Sequence, residues 1–428
     1  MKIYCSGIGG IGLSAYAALQ KSCGHEILGS DRSESELLND LRSQDISVAL
    51  NQDGTFLPED LDLFVYSEAI PRDAPERLRA EELGVKSISY FQALGEFSRD
   101  YTVLAVCGTH GKSSTTAMAA RVLIDSGIDP TIVVGTKLVE LNGRNWRKGE
   151  SDFFLLEACE YRRSFLNLSP NVVLLTNADG DHFDAFDSIE DYQKAFVDFL
   201  DLVPMDGAIY THLSDPDCAK IASEVTRTPV HDVDIFPLPN LSVPGDHMRQ
   251  NGQLVLGLAE HLGIEQESAL ISLKQYNGCW RRMELVGTTA ADIPVIDDYA
   301  HHPREVQATI AAAREAHTGK RLVCVFQPHM HDRTIKLYKE FLQCFRGADL
   351  LLLTDVYDAR SDVETDRVDM EKFVQDIREN SGVDARYSGD LSQTKSLLAN
   401  EVLQKGDILL CMGAGDITSM ARSFVADY

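Results

Sequence analysis

Val103-Leu-Ala-Val-Cys-Gly-Thr-His-Gly-Lys-Ser-Ser-Thr-Thr116 is the stretch from which the fold is read. Val103 to Cys107 is an apolar, β-like run, and Gly108-Thr-His-Gly111 is a turn. Ser114 to Asp125 continues in a helical pattern, with Met118, Val122 and Leu123 as its apolar positions. Strand, glycine turn, Lys-Ser and helix are the parts of a phosphate loop. N–H groups at a helix N-terminus face an anion, a lysine neutralises β/γ-phosphate charge, and a hydroxyl ligates Mg²⁺. Gly108, Thr109, His110, Gly111, Lys112, Ser113 and Ser114 are therefore candidate contacts for a nucleotide phosphate chain. The strict form of the loop has glycine where this chain has Val106, so the loop is a variant.

A chain of 428 residues has room for roughly two to four domains, each with its own core. Its 44% hydrophobic and 25% charged residues are the proportions of an ordinary globular protein. The net charge of −26 disfavours a nucleic-acid partner but leaves room for a local basic pocket around a nucleotide. Nine cysteines without a CxxC pair read as reduced thiols in a cytoplasmic protein. No apolar signal region and no run of membrane-span length is visible, so no membrane insertion is expected.

Outward from the loop, strand and helix patterns alternate throughout, as in βαβ units with parallel sheets. Before it, strands are expected at Ile3–Ser6, Ile27–Gly29 and Leu61–Ser67, with helices at Leu13–Lys21 and Glu34–Ser43. After it, Phe153–Glu157 and Val172–Asn177 are near-continuous apolar runs of central parallel strands. Ile189–Val203 is an amphipathic helix, 205–245 reads as irregular and proline-rich, and helices follow at about 247–262 and 266–276. Strands at Val295–Asp298, Leu322–Gln327, Asp349–Asp355 and Ile408–Met412 mark a further alternation. The expected fold is three consecutive α/β domains: 1–98, Rossmann-like; 99–280, a central phosphate-loop ATPase type; and 281–428, again Rossmann-like.

Ligands of open α/β sheets sit beyond the carboxyl ends of the strands. The turn Gly7-Ile-Gly-Gly-Ile-Gly12 follows the first strand, and Asp31 lies at the dinucleotide-fingerprint distance beyond it, so a nucleotide phosphate is expected there. Glu157 and His182 follow central strands and, with Ser113, form the candidate Mg²⁺ set; zinc is disfavoured because no paired Cys/His spacing occurs. Asp298 ends a strand where it can meet a ribose or an amine, and His301 and His302 precede Pro303 at a helix start, either in a binding role or as a solvated loop. Arg333, in Gln327-Pro-His-Met-His-Asp-Arg-Thr334, is placed to supply a cation to a transferring phosphoryl group. Met412-Gly-Ala-Gly-Asp-Ile417 is either an anion site or only a turn.

These stretches, together with Val65-Tyr-Ser-Glu-Ala-Ile-Pro71, Glu157-Ala-Cys-Glu-Tyr-Arg-Arg163, Arg281-Arg-Met-Glu284, Asp297-Asp-Tyr-Ala-His-His-Pro303 and Phe326-Gln-Pro-His329, resemble the Mur ligase family nearly end to end. The last two point to its alanine-adding branch. The resemblance implies an ATP-dependent ligase of peptidoglycan precursor synthesis that joins L-alanine to the carboxylate of UDP-N-acetylmuramate through an acyl phosphate. It implies that the first domain binds the UDP part, through Gly7, Gly9, Gly10, Ile11, Gly12, Asp31 and Ser67, with His301 a further substrate contact. Lys112, Glu157, His182 and Arg333 become the catalytic candidates, while Asn251, Arg282 and Asp298 join the ATP contacts. The third domain closes over the site, and a monomer or homodimer is expected.

The chain also departs from the family pattern. Gly245-Asp-His-Met-Arg-Gln-Asn251 has Met248 where the family has asparagine, Met330 replaces an arginine after Gln-Pro-His, and Ser164 stands where close relatives often carry histidine. The segment 205–245 is short for the family, as if a β-hairpin were trimmed. A ligase that recycles ready-made peptides onto the same UDP-sugar is a close alternative. A nicotinamide-dependent dehydrogenase leaves the phosphate loop without a role, and a non-catalytic UDP-sugar-binding protein is the third alternative.

Overall fold

The computed structural model describes residues 1–180, 185–358 and 367–428. Among these residues three sheets follow one another along the chain. The first contains β1 (Lys2–Ser6), β2 (Glu26–Ser30), β3 (Ser47–Ala49), β4 (Leu63–Tyr66) and β5 (Lys86–Ser89), in the order β3-β2-β1-β4-β5. All its pairings are parallel. Helices α1 (Ile11–Ser22), α2 (Glu36–Arg42), α3 (Pro75–Glu82) and α4 (Tyr90–Ser98) follow β1, β2, β4 and β5, and β3 leads to β4 without a helix. The strand order reverses between β1 and β4, which is where such a sheet opens a crevice for a ligand.

The second sheet begins with β6 (Thr102–Cys107), which leads into α5 (Lys112–Asp125). Next come β7 (Thr131–Leu138), β8 (Arg144–Arg147), β9 (Phe153–Glu157) and β10 (Val172–Leu175), then α6 (Ile189–Leu200), β11 (Ala208–Thr211), α7 (Pro216–Glu224) and β12 (Val230–Asp232). The order is β12-β11-β10-β6-β9-β7-β8, with only β7–β8 antiparallel. Strand β6 is central, and Val103 to Cys107 are buried, as a parallel strand covered on both faces requires. Two helices, α8 (Asp246–His261) and α9 (Gln266–Lys274), follow.

The expectation of irregular structure over 205–245 is corrected: the segment carries β11, α7 and β12. Its prolines punctuate these elements instead of abolishing them. Pro216 sits in the first turn of α7, where its missing N–H costs nothing, and Asp215 caps that helix by accepting from the N–H groups of Asp217 and Cys218.

The third sheet holds β13 (Glu284–Thr288), β14 (Pro294–Asp298), β15 (Leu322–Phe326), β16 (Leu350–Thr354), β17 (Asp384–Gly389) and β18 (Ile408–Met412). Its order is β13-β14-β18-β15-β16-β17, parallel except for the β13 edge. Helices α10 (Pro303–Ala316), α11 (His331–Lys336), α12 (Tyr338–Cys344), α13 (Met370–Ser381), α14 (Leu391–Leu397) and α15 (Ile417–Asp427) connect the strands.

Two units emerge: Met1–Asn240 with Asn251–Lys274, and Leu241–Gln250 with Gln275–Tyr428. The first therefore holds both the first and second sheets, which share one apolar cluster running from Ile3 and Val65 to Phe154 and Phe196. In the second unit separate clusters gather on Phe341 and Phe373, and on Leu398 and Phe424. No helix among the described residues is long and apolar enough to cross a membrane.

Candidate active site

In the first unit the carboxyl ends of the central strands bring the phosphate loop together. Helix α5 starts directly at Lys112, with Gly111 before it at φ 82°. Gly108 has φ 139°, and a Cβ there would overlap the Thr176 hydroxyl; a Cβ on Gly111 would come within 2.8 Å of Asn251 Oδ1. Neither position accepts a side chain, so the backbone lies tight against β10 and α8. Asn177 fastens the turn: its carbonyl accepts from Thr109 N at 3.0 Å and its Oδ1 from His110 N at 2.8 Å. The Thr176 hydroxyl donates to the His110 carbonyl at 2.5 Å, and the Thr109 and Tyr192 hydroxyls share a hydrogen bond of 2.8 Å. His110 Nε2 lies 3.4 Å from the Asp179 carboxylate. Ser113 and Ser114 sit buried in the first turn of α5, which presents the N-terminal end of its dipole to an anion.

The two carboxylates after β9 take different places. Glu157 accepts from Gly135 N at 2.7 Å, whereas Glu160 lies 3.0 Å from the Lys112 ammonium. Burial pulls the Lys112 pKa down, but the Glu160 carboxylate and its neighbours outweigh this, and the net shift is upward. Glu160 had no assigned role in the sequence reading. It lies on an irregular exit from a strand, where no periodicity tells which of two carboxylates turns toward the lysine. Thr176, Asn177 and Asp179 lie beyond a central strand, where spacing places them near the phosphates without telling which bond the loop. His182 lies outside the described residues. The Ser113 hydroxyl and Glu157 carboxylate are hard oxygen donors, a chemistry that suits Mg²⁺.

In the first sheet the glycine turn follows β1 at the reversal of strand order. Gly7 and Ile8 donate to the Ser30 carbonyl at 2.9 Å, Gly10 caps α1, and Gly12 lies in its first turn. Ser67 stands across the reversal at the end of β4, where its N–H bonds the Ser6 carbonyl at 3.0 Å. Asp31 accepts from Gly9 N at 2.8 Å and from Arg32 N at 2.7 Å. One of its oxygens therefore braces the turn, and the other accepts from its own neighbour in the chain. Ile11 offers its carbonyl to the Asn145 amide at 2.6 Å, a tie between the two sheets of this unit that sequence reasoning missed.

The second unit gathers its own polar residues beyond β14, β15 and β18. Asp298 is buried and accepts from Met283 N at 2.7 Å, Ala300 N at 2.8 Å and the Thr309 hydroxyl at 3.2 Å. Burial raises its carboxyl to about 6, against the pull of Arg282. Asp298 thus ties the loop that carries Arg282 to its own strand exit and to α10. Burial lowers the Arg282 pKa, and the Glu305 and Asp298 carboxylates more than offset this. Arg281 donates to the Gly413 and Gly415 carbonyls at 2.5 and 3.0 Å. The 412–416 turn thus presents two carbonyls to the Arg281 cation.

His301 lies 3.3 Å from Glu305, and its ring sits edge-on to His329 with centroids 5.8 Å apart. Arg333 Nη1 is 2.9 Å from His329 Nδ1. His302 serves the helix: its side chain caps α10, with Glu305 completing a capping box. Met330 holds φ 69° for a non-glycine residue, and Met248 is buried.

Three α/β sheets with a phosphate loop on the central strand of the second define a nucleotide-phosphate-binding protein. Residues 2–102 match the catalytic domain of the Mur ligase family, residues 106–236 the Mur ligase middle domain, and residues 281–415 the Mur ligase glutamate ligase domain. The chain is 34% identical to the UDP-N-acetylmuramate–L-alanine ligase of Clostridium novyi, over 99% of this chain and 97% of that protein. It is equally 34% identical to the ligase of the same name from Persephonella marina, over 98% and 95%. The crystal structure of UDP-N-acetylmuramate-alanine ligase from Thermotoga maritima superposes with a TM-score of 0.83 at 28% identity, covering 100% of this chain and 99% of that one. The chain belongs to the Mur ligase family.

Proposed function

We propose that this protein joins L-alanine to the carboxylate of UDP-N-acetylmuramate with cleavage of ATP, in the cytoplasm, during peptidoglycan precursor synthesis. Full-length likeness to ligases of that name carries this reading. The phosphate loop supports it. A carboxylate acylates poorly because oxide is a poor leaving group. One carboxylate oxygen attacks the γ-phosphorus and ADP leaves, which gives an acyl phosphate. The alanine amine then attacks the carbonyl carbon, phosphate departs with the bonding electron pair, and the amine gives up a proton. Lys112 and the N–H groups at the start of α5 would hold the phosphates, and positioning with charge neutralisation is most of what the transfer requires.

Ser113 and Glu157 would hold Mg²⁺, with His182 as the third group; the ion would supply charge neutralisation at the phosphate oxygens. Residues 1–98 would bind the UDP part and residues 99–280 ATP, and Asn251, packed on Gly111, would border the nucleotide.

Phosphate release measured with ATP, Mg²⁺, UDP-N-acetylmuramate and a panel of amino acids and short peptides tests this. Release should require the UDP-sugar and be largest with L-alanine. Preference for a peptide would favour a recycling ligase, and equal rates with every amine would remove the alanine assignment.

A further inference from the structure

The Lys112 ammonium already has a full set of acceptors. It donates to the Gly108 carbonyl at 2.5 Å and the Thr109 carbonyl at 3.0 Å, and Glu160 lies against it with its two oxygens at 3.0 and 3.1 Å. An ammonium has three N–H donors, so a phosphate oxygen reaches Lys112 only by replacing one acceptor. The carbonyls cannot leave easily: they belong to the turn that Asn177 and Thr176 fasten. Glu160 is the acceptor carried on rotatable side-chain bonds.

Its backbone, by contrast, is anchored. The next residues but one, Arg162 and Arg163, are both left-handed at φ 50° and 57°. Arg163 N donates back to the Glu160 carbonyl at 2.8 Å, and its guanidinium pairs with Asp191 at 2.6 Å and Asp198 at 3.3 Å on α6. Two consecutive left-handed arginines are a costly conformation that persists only where surrounding contacts impose it. Just before that turn, Glu160 is 1% exposed and lies against the lysine.

We propose that Glu160 is a positioning residue for Lys112 and the acceptor that the nucleotide triphosphate displaces. Its carboxylate holds the ammonium over the turn and then yields it to a phosphate oxygen. The same carboxylate competes with the phosphates, so it weakens nucleotide binding while it aligns the lysine for the transfer step. The proposal rests on residues 108–114 being a phosphate loop and is independent of which amine or sugar the enzyme uses.

The test uses the full-length chain with Glu160→Gln and Glu160→Asp, and titrates the β,γ-methylene analogue of ATP with Mg²⁺ by calorimetry. Glu160→Gln should bind the analogue about three- to tenfold more tightly and lose at least about tenfold in kcat, with KM for the UDP-sugar changed less than about twofold. Glu160→Asp keeps the charge but shortens the reach, so it should fall between wild type and Glu160→Gln in both quantities. Equal or weaker analogue binding by Glu160→Gln, or an unchanged kcat, would overturn the proposal. If Glu160→Gln does not fold, Glu160→Asp decides: tighter analogue binding than wild type supports displacement, and equal or weaker binding overturns it. Analogue binding is read without any amine, so failure of the alanine assignment in the wild-type release assay stays distinguishable from failure here.

Discussion

At the scale of single residues, Lys112 and Asp298 show how burial and partners set a side chain's task. Lys112→Ala removes the cation of the phosphate loop while leaving the first sheet untouched. ATP-dependent turnover should fall by about a hundredfold or more, and equilibrium binding of the UDP-sugar should persist; surviving turnover would show that the loop is misassigned. Asp298 gives a pH signature. Burial lifts its carboxyl from 3.8 to about 6, so across that window the folded chain keeps a proton that the unfolded chain has released. The group's contribution to stability is full below about pH 4 and is lost as pH rises through 6. Urea midpoints of wild type and Asp298→Asn, compared from pH 4 to 7, should therefore diverge in slope, with the variant flatter. Parallel curves would mean that Asp298 ionises normally. The position of Asp298 at a strand end was legible in the sequence. Its service to Met283, Ala300 and Thr309 was not, because those donors come from three separate segments.

Among the elements, the strand-turn-helix unit from β6 to α5 was readable from local spacing: an apolar run, glycines, Lys-Ser, then a helical period. The structure adds that the turn is pressed against β10. Gly108→Ala places a Cβ on the Thr176 hydroxyl and an L-residue at φ 139°. The variant should lose about 1–3 kcal/mol of stability and most ATPase activity, read by thermal denaturation and phosphate release; wild-type values in both would contradict the geometry. Helix α3 carries a comparable device. Glu76 is buried and accepts from the Tyr4, Ser6 and Ser30 hydroxyls at 2.6, 2.5 and 2.7 Å, at strands β1 and β2 beside the glycine turn. Glu76→Leu leaves three buried hydroxyls without that acceptor, at about 1–3 kcal/mol each before relaxation. A chemical-denaturation midpoint within error of wild type would refute this role. Edge strands were the least legible elements. β8, β12 and β13 are short, and pairing with a neighbour defines them more than their own composition does.

For the whole molecule, a charge of −26 implies self-repulsion that salt screens. Raising NaCl from about 0.02 to 0.2 M, where the Debye length falls well below protein dimensions, should raise the thermal midpoint, and a fall would show that specific ion pairs dominate. The division of the chain is equally physical. Leu241–Gln250 belongs with Gln275–Tyr428, and Arg249 and Gly245 N both bond Glu315 there. Amino-acid order by itself determined the alternation of strands and helices, the phosphate loop, the glycine turn of the first sheet and the family resemblance, because each rests on spacing within a few residues or on matching motifs. Only the tertiary structure decided that Glu160 instead of Glu157 meets Lys112, that Asp31 braces a turn, and that Asp298 brackets the Arg282 loop. Those choices join residues 15 to 48 positions apart, and which donor meets which carboxylate depends on how strands stack side by side, a geometry that no local period encodes.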